Sequence, residues 1–173
     1  MTERVEREFQ GCMARLYGYA LSLTSDRDSA QDLLQDCAVK ALSARSVPTD
    51  AAALRAWFFR ILRNAWIDRY RREQFEPMPA DDEAFAPPDP ATWRYDERLL
   101  DAITVRQGMS RLPPAHRDVI ALVDLVGFPY AEVAEILGVP IGTVMSRLSR
   151  ARQALLAVIG ESNVRPLRAR RRP

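Results

Sequence analysis

The side chains best suited to binding a charged polymer lie in residues 138–152. At 100° per residue, one side of this segment collects small and polar residues: Gly142, Met145, Ser146, Ser149, Gln153 and, at its edge, Arg150. Hydroxyl, amide and guanidinium groups donate hydrogen bonds to phosphate oxygens and base edges. No acid occurs between Glu135 and Glu161. We therefore interpret this side as a surface for nucleic acid.

The opposite side of the same segment is apolar, so it must pack on a neighbouring element. It consists of Val144, Leu148, Ala151 and Leu155. Gly138 suits a tight turn, and Pro140 stands where a helix can begin without losing a needed N–H. The pattern predicts a helix-turn-helix over 130–157, whose second helix enters the major groove of DNA.

A second candidate surface lies on a helix predicted over 50–72, which Asp50 caps. One side of this helix carries Arg60, Arg63, Asn64, Ile67 and Arg71, with Trp57 on one flank and Phe59, Trp66 and Tyr70 on the other. Such a mixture can hold phosphates and stack bases of a single strand. The alternative is that the aromatic rings are core and the arginines a solvated face. The core stripe is predicted as Leu54, Phe58, Ile61, Leu62 and Ala65.

A third candidate surface lies on a helix predicted over 26–44. Asp32, Gln35 and Asp36 form a compact acidic patch able to dock a basic partner. Ser25 and Asp28 have the spacing of a capping box. The buried positions of this helix are predicted as Leu34, Cys37, Ala38, Ala41 and Leu42.

The elements that carry these surfaces are all helical, in two small domains. Scarce glycine and the absence of extended alternation predict an all-α chain with a three-helix module at 1–75 and a helix-turn-helix module at 102–160. Residues 76–101 carry 8 acidic and 2 basic side chains and predict a flexible linker. Residues 102–173 carry 11 basic and 5 acidic side chains, and 161–173 are expected to be a disordered basic tail.

Residue types exclude several classes of protein. Cys12 and Cys37 are too few for a disulfide framework and indicate buried thiols in a reducing cytoplasm. No signal peptide or membrane-spanning run is evident. His116, the only histidine, has no cluster of metal-ligating residues near it in the sequence. We therefore expect no catalytic residue, metal, cofactor or small-molecule substrate, and no insertion into a membrane.

The order of the parts resembles the extracytoplasmic-function sigma factors of the sigma-70 family. Residues 32–36 (DLLQD) resemble region 2.2, and 54–64 (LRAWFFRILRN) resemble regions 2.3 and 2.4. Residues 111–114 (RLPP) and the following helices resemble region 4, and 142–152 (GTVMSRLSRAR) resemble its recognition helix. The resemblance covers about residues 5–158, with both halves in the family's order.

This resemblance implies a subunit that binds core RNA polymerase and directs initiation at particular promoters. Asp32, Gln35 and Asp36 would bind the β′ clamp, and region 4 would meet the β flap. The residues on 138–153 named above, together with Thr143, would contact the −35 element. Trp57, Arg60, Arg63, Asn64, Ile67 and Arg71 would contact the −10 element, with Asn64 holding a flipped base beside the loop 44–52. An anti-sigma factor is an expected partner.

Some motif positions depart from the family, and two other functions compete. Met145 stands where many relatives have Lys or Arg, and Gln35-Asp36-Cys37 replaces a commoner pattern with Glu and a larger apolar residue. One alternative is a dimeric helix-turn-helix regulator that binds duplex DNA without polymerase. The other is an enzyme acting on nucleic acid, which would need acidic metal ligands grouped in one module.

Overall fold

The computed structural model describes residues 2–75 and 105–163, and within these ranges it contains helices and no strands. The helices are α1 Thr2–Thr24, α2 Arg27–Leu42, α3 Ala51–Phe75, α4 at 105–111, α5 Pro114–Ile120, α6 Tyr130–Leu137 and α7 Ile141–Asn163. Helix α5 continues into one π-helical turn, Ala121–Leu125. The predicted all-α class is confirmed. The segment predicted as a linker, 76–101, lies outside the described residues.

Aspartates begin the second and third helices. The Asp26 carboxylate accepts a hydrogen bond from the Ser29 amide at 2.8 Å, and Asp50 accepts one from the Ala53 amide at 2.8 Å. Each therefore satisfies an amide that the first turn leaves unpaired. The capping box at Ser25 was wrong, because Ser25 forms the connection itself with φ of 60°.

On α2 the line of buried residues is displaced by about one residue from the predicted line. Its buried positions are Ala30, Leu33, Cys37 and Ala41. Leu34 and Ala38 are only half-buried, and Leu42 is 42% exposed. On α3 the predicted stripe is buried except for Ile61, which is half-buried. The phase on α2 is wrong because its moderately apolar residues spread around the helix and leave the choice to α1 and α3.

The later helices form the predicted helix-turn-helix. Gly138 ends α6 with φ of 66°, a left-handed conformation that glycine adopts without strain. Pro140 precedes α7, whose Val144, Leu148 and Ala151 are fully buried. Helix α4 lies against the later part of α7 at Gly108, where an added Cβ would stand 2.9 Å from the Leu155 side chain. Helix α7 also extends to Asn163, three residues into the segment predicted as tail.

The two groups of helices share one continuous buried cluster. Helix α3 contacts α6, and α1 contacts both α5 and the π turn. Phe59 of α3 and Phe128, just after the π turn, meet edge to face with ring centroids 4.8 Å apart. The sequence predicted two separate helical domains, but their separate periodicities could not indicate that these domains pack together.

Candidate nucleic-acid and polymerase interface

The polar side of α7 is open to solvent. Gly142, Met145, Ser146, Ser149, Arg150 and Gln153 are all exposed, and Thr143 is half-buried. Because Val144 and Leu148 hold the other side against the fold, the helix has little freedom to rotate. The predicted surface is therefore present as a fixed ridge, with Met145 53% exposed at its centre.

Arg150 is oriented by the preceding turn of α7. Its Nε donates to the Ser146 carbonyl at 3.3 Å, and its Nη2 donates to the Ser146 hydroxyl at 3.3 Å. An arginine held in one orientation loses less side-chain freedom when it binds a phosphate or a guanine. These contacts place the guanidinium beside Ser146 on the exposed ridge.

Arg152, two residues further along α7, forms an ion pair within the protein. Its Nη2 and Nε donate to the two carboxylate oxygens of Asp124 at 2.6 and 3.1 Å. The hydrogen bond that Arg152 donates to Asp124 raises the pKa of Arg152 above its ordinary value. This ion pair links α7 to the π turn, and no local sequence pattern predicts it because its partners are 28 residues apart.

The predicted surface on α3 is only partly open. Arg60, Asn64 and Arg71 are exposed, whereas Trp57 and Ile67 are half-buried. Trp57 and Arg60 line a cavity of about 110 Å³ together with Glu135 and Ile136 of α6. Helix α6 therefore lies close beside one end of this surface.

Arg63 is turned into a buried polar cluster. Its Nε donates to Asp118 Oδ2 at 2.6 Å, and the Tyr19 hydroxyl donates to Asp118 Oδ1. Asp118 is 3% exposed and Tyr19 is completely buried. Burial, and then the Asp118 charge, raise the pKa of Tyr19 well above its ordinary value. No local pattern in the sequence pairs Tyr19 with Asp118, because 99 residues separate them.

The aromatic residues beside this surface divide between core and solvent. Phe59 is 1% exposed and Trp66 is 7% exposed, so both rings pack inside the protein. Tyr70 is 37% exposed, with its ring 5.8 Å from that of Trp66. The alternative interpretation of these aromatics as core is thus correct for Phe59 and Trp66.

The acidic patch on α2 is exposed as its spacing predicts. Asp32, Gln35 and Asp36 all face solvent. Val39, one turn beyond Gln35, is 67% exposed and adds an apolar side chain to the same side. The loop after α2 is fixed to α1, because the Arg4 guanidinium donates to the carbonyls of Pro48 at 2.6 Å and Thr49 at 2.7 Å.

Both cysteines are free and buried. The Cys37 thiol donates to the Phe58 carbonyl at 3.4 Å, and burial raises the pKa of Cys37 to about 12. Burial also raises the pKa of Cys12. In the two described ranges, no three His, Cys, Asp or Glu residues are grouped to hold a metal. Nor is any described helix long and apolar enough to cross a bilayer.

Two family models match the chain. Residues 9–76 match sigma-70 region 2, and residues 103–155 match sigma-70 region 4. The ECF RNA polymerase sigma factor EcfG of Rhodopseudomonas palustris is 30% identical over 165 residues, covering 92% of this chain and 87% of that protein. The chain belongs to the ECF sigma factors. It is therefore a polymerase-binding subunit that directs promoter-specific transcription.

Other relatives agree with this assignment of the sigma factor. SigL of Mycobacterium tuberculosis is 33% identical over 152 residues, covering 87% of this chain and 86% of its own. Among solved structures, the sigma factor RpoE of Bartonella quintana, in complex with the anti-sigma factor NepR, has a TM-score of 0.65 at 28% identity and covers 87% of this chain and 95% of its own. CnrH, in complex with the cytosolic domain of CnrY, has a TM-score of 0.68 at 25% identity and covers 95% of this chain and 92% of its own. The alternative of an ordinary dimeric regulator is not favoured.

Proposed function

We propose that this sigma factor divides promoter recognition between α7 and α3. Helix α7 reads the −35 duplex through the exposed residues from Gly142 to Gln153. The single observation that carries this assignment is the solvent-exposed polar ridge, with Arg150 held by Ser146 and no acid on the helix before Glu161. Met145 supplies an apolar contact, which suits a thymine methyl group better than a guanine.

Helix α3 acts on the −10 element after the strands separate. The Asn64 side chain is exposed and can hydrogen-bond the edge of an extruded base. Arg60 and Arg71 bind the phosphates of that strand, and the half-buried Trp57 and Ile67 support the bases from the side. Arg63 joins them when its contact with Asp118 is released. The modules that carry these tasks are 1–75 and 102–160, connected through 76–101.

The α2 patch docks core polymerase. Asp32, Gln35 and Asp36 offer two carboxylates and an amide to a basic surface of the β′ clamp, and region 4 meets the β flap. RNA synthesis is performed by polymerase, so this chain catalyses no reaction and acts in the cytoplasm, where polymerase meets chromosomal DNA. RpoE and CnrH form complexes with NepR and CnrY. By analogy, an anti-sigma factor binds this chain.

The division of labour predicts different defects for two single substitutions. Arg150→Ala should weaken binding of the holoenzyme to promoter duplex by about 5–150-fold, the equivalent of ~1–3 kcal/mol for a good base contact. Asn64→Ala should leave duplex binding unchanged and slow strand opening, because capture of a flipped base offsets an unstacking cost of about a few kcal/mol. Binding is measured by filter retention, and opening by a fluorescent base within the −10 element.

Two control substitutions, one on each helix, test whether any change of a polar residue on that helix would cause the same defect. Arg152→Ala removes an arginine from the same helix, but one that is paired with Asp124, so promoter binding should stay within about twofold. Asp68→Asn changes an exposed residue one turn beyond Asn64 and should not slow opening. If Arg150→Ala and Asn64→Ala impair both steps equally, the proposed division is wrong.

The polymerase surface has its own test. Asp36→Arg should weaken binding to core polymerase by about tenfold, since a reversed charge meets a basic surface at the interface. Glu6→Arg makes the same change at an exposed site on α1 and serves as the control. Equal affinity of the two variants, measured with a fluorescent label on the sigma factor, would remove α2 from the interface.

A further inference from the structure

The surface of α3 assigned to the −10 strand is covered along part of its length by the second module. Arg63 of α3 ends at Asp118 of α5, and Phe59 packs on Phe128. One turn earlier, Trp57 and Arg60 border α6 at a small cavity. Nucleic acid cannot occupy this side of α3 while α5 and α6 are in place.

Two further contacts hold the modules in this arrangement. The Arg117 guanidinium donates to the Leu23 carbonyl at 2.6 Å, and the Arg15 guanidinium donates to the Val126 carbonyl at 3.0 Å. Together with the Tyr19–Asp118–Arg63 cluster, they add several charged groups to an interface that also buries apolar side chains such as Phe59 and Phe128. A permanent core is built mainly from apolar side chains, whereas interfaces that open and close are more polar.

The proposed function requires the modules to separate. Promoter elements named for positions −35 and −10 lie about 25 base pairs apart, which is about 85 Å of duplex at ~3.4 Å per pair. Helix α1, the long helix of the first module, has 23 residues and spans only about 35 Å at ~1.5 Å per residue. Modules joined by hydrogen bonds of 2.6 to 3.0 Å cannot reach both elements at once.

We propose that the Asp118–Arg63 ion pair is autoinhibitory, because Asp118 occupies the guanidinium that would otherwise bind a DNA phosphate. We call this ion pair the clasp. This inference rests on the proposed function, because it assigns Arg63 to the −10 strand. The same guanidinium faces a carboxylate in the closed chain and a phosphate oxygen in the open one, and both partners match its geometry. Opening exposes Arg63 and Asp118 to water, which offsets the lost pairing and leaves the clasp reversible.

The clasp is tested by measuring the separation of the modules in the free, full-length chain. Spin labels are placed on cysteines introduced at Val39 and Leu156, which are 67% and 69% exposed. Cys12 and Cys37 are buried and stay unlabelled. Asp118→Asn keeps the shape and removes the charge, so the ratio of long to short distances should rise about tenfold. A distance distribution identical to that of the parent chain would overturn the clasp.

A matched variant separates the clasp from charge loss in general. Asp124→Asn breaks an Asp–Arg pair of the same 2.6 Å length that lies within the second module, and it should leave the distances unchanged. If Asp118→Asn loses helical content by circular dichroism, Tyr19→Phe removes only one hydroxyl from the same cluster. Tyr19→Phe should shift the ratio in the same direction by a smaller factor, and no shift would contradict the proposal.

A transcription readout distinguishes the clasp from the proposed function. With core RNA polymerase, Asp118→Asn should reach half-maximal transcription at a concentration severalfold lower than the parent chain, because the competent fraction is larger. An opened variant with an unchanged half-maximum would refute autoinhibition. If the parent chain directs no transcription at all, the proposed function fails, while the distance measurement still reports on the contact itself.

Discussion

Helices α3 and α7 carry the two surfaces assigned to DNA, yet their environments differ. Helix α7 has a buried apolar side and an exposed polar side, and the predicted residues lie on their expected sides except that Thr143 and Leu155 are half-buried. Helix α3 has buried residues on more than one side: Phe58 meets Phe9 of α1, and Phe59 meets Phe128. One helix is presented to solvent, and the other is shared between two modules.

The difference shows when a binding surface can be read from periodicity. On α7 a single neighbouring surface determines the burial, so an apolar stripe at Val144 and Leu148 identifies the outward side directly. On α3, Arg63 looks like a surface arginine until Asp118 arrives from a distant part of the chain. A charged residue on a helix can thus be inward-facing if its counterion is supplied by tertiary structure.

The largest expected effect separates the two sides of α7. Leu148→Ala should lower the free energy of unfolding by about 2–5 kcal/mol, because it leaves a cavity in a packed site. Met145→Ala, on the exposed side, should change it by less than about 0.5 kcal/mol. Urea unfolding followed by circular dichroism measures both. Similar losses in the two variants would contradict the one-sided packing of α7.

We expect the free energy of unfolding to depend on pH through buried groups of the first three helices. The pKa of Cys37 is raised to about 12, so its stabilising contribution is complete below the unfolded value and is lost as pH rises toward 12. From pH 8 to pH 10 the free energy of unfolding should fall by about 1–2 kcal/mol, taking an unfolded pKa of ~8.5. Tyr19 adds a loss of the same sign at higher pH.

Urea unfolding at pH 8 and pH 10 checks this dependence. Cys37→Ala is the control, and it should reduce the loss between the two pH values by about 1 kcal/mol or more. Helix α7 contains no Cys, Tyr or His, so we expect it to contribute nothing to this loss of stability. An identical pH dependence in Cys37→Ala and the parent chain would show that the buried thiol is not responsible.

The smallest expected effect concerns the orientation of Arg150. Ser146→Ala removes a hydroxyl that accepts from Arg150 at 3.3 Å, and it should weaken promoter binding by about two- to threefold, or ~0.5 kcal/mol. In an Arg150→Ala background the same change should have almost no effect, since the contact is already absent. A full additional loss in the double variant would indicate that Ser146 contacts DNA independently.

Apart from the helix cap placed at Ser25, the sequence predicted the features that depend on neighbouring residues, and it missed those that depend on distant ones. The helix-turn-helix, the Gly138 turn and the Asp50 cap follow from residues within a few positions of one another, and all three are present. The exact buried line of α2 was missed because Leu33 and Leu34 are chemically equivalent and only packing selects between them. The Tyr19–Asp118 contact was missed because it requires the two modules to meet.

The most direct test of the central claim is transcription with bacterial core RNA polymerase on fragmented DNA from the source genome. We expect discrete start sites that appear only when this protein is added, preceded by two shared sequence elements. Arg150→Ala should reduce transcription most at the start sites whose upstream element agrees best with the shared sequence. No added transcripts, together with a sharp footprint from the protein alone, would contradict the assignment as a promoter-specificity subunit.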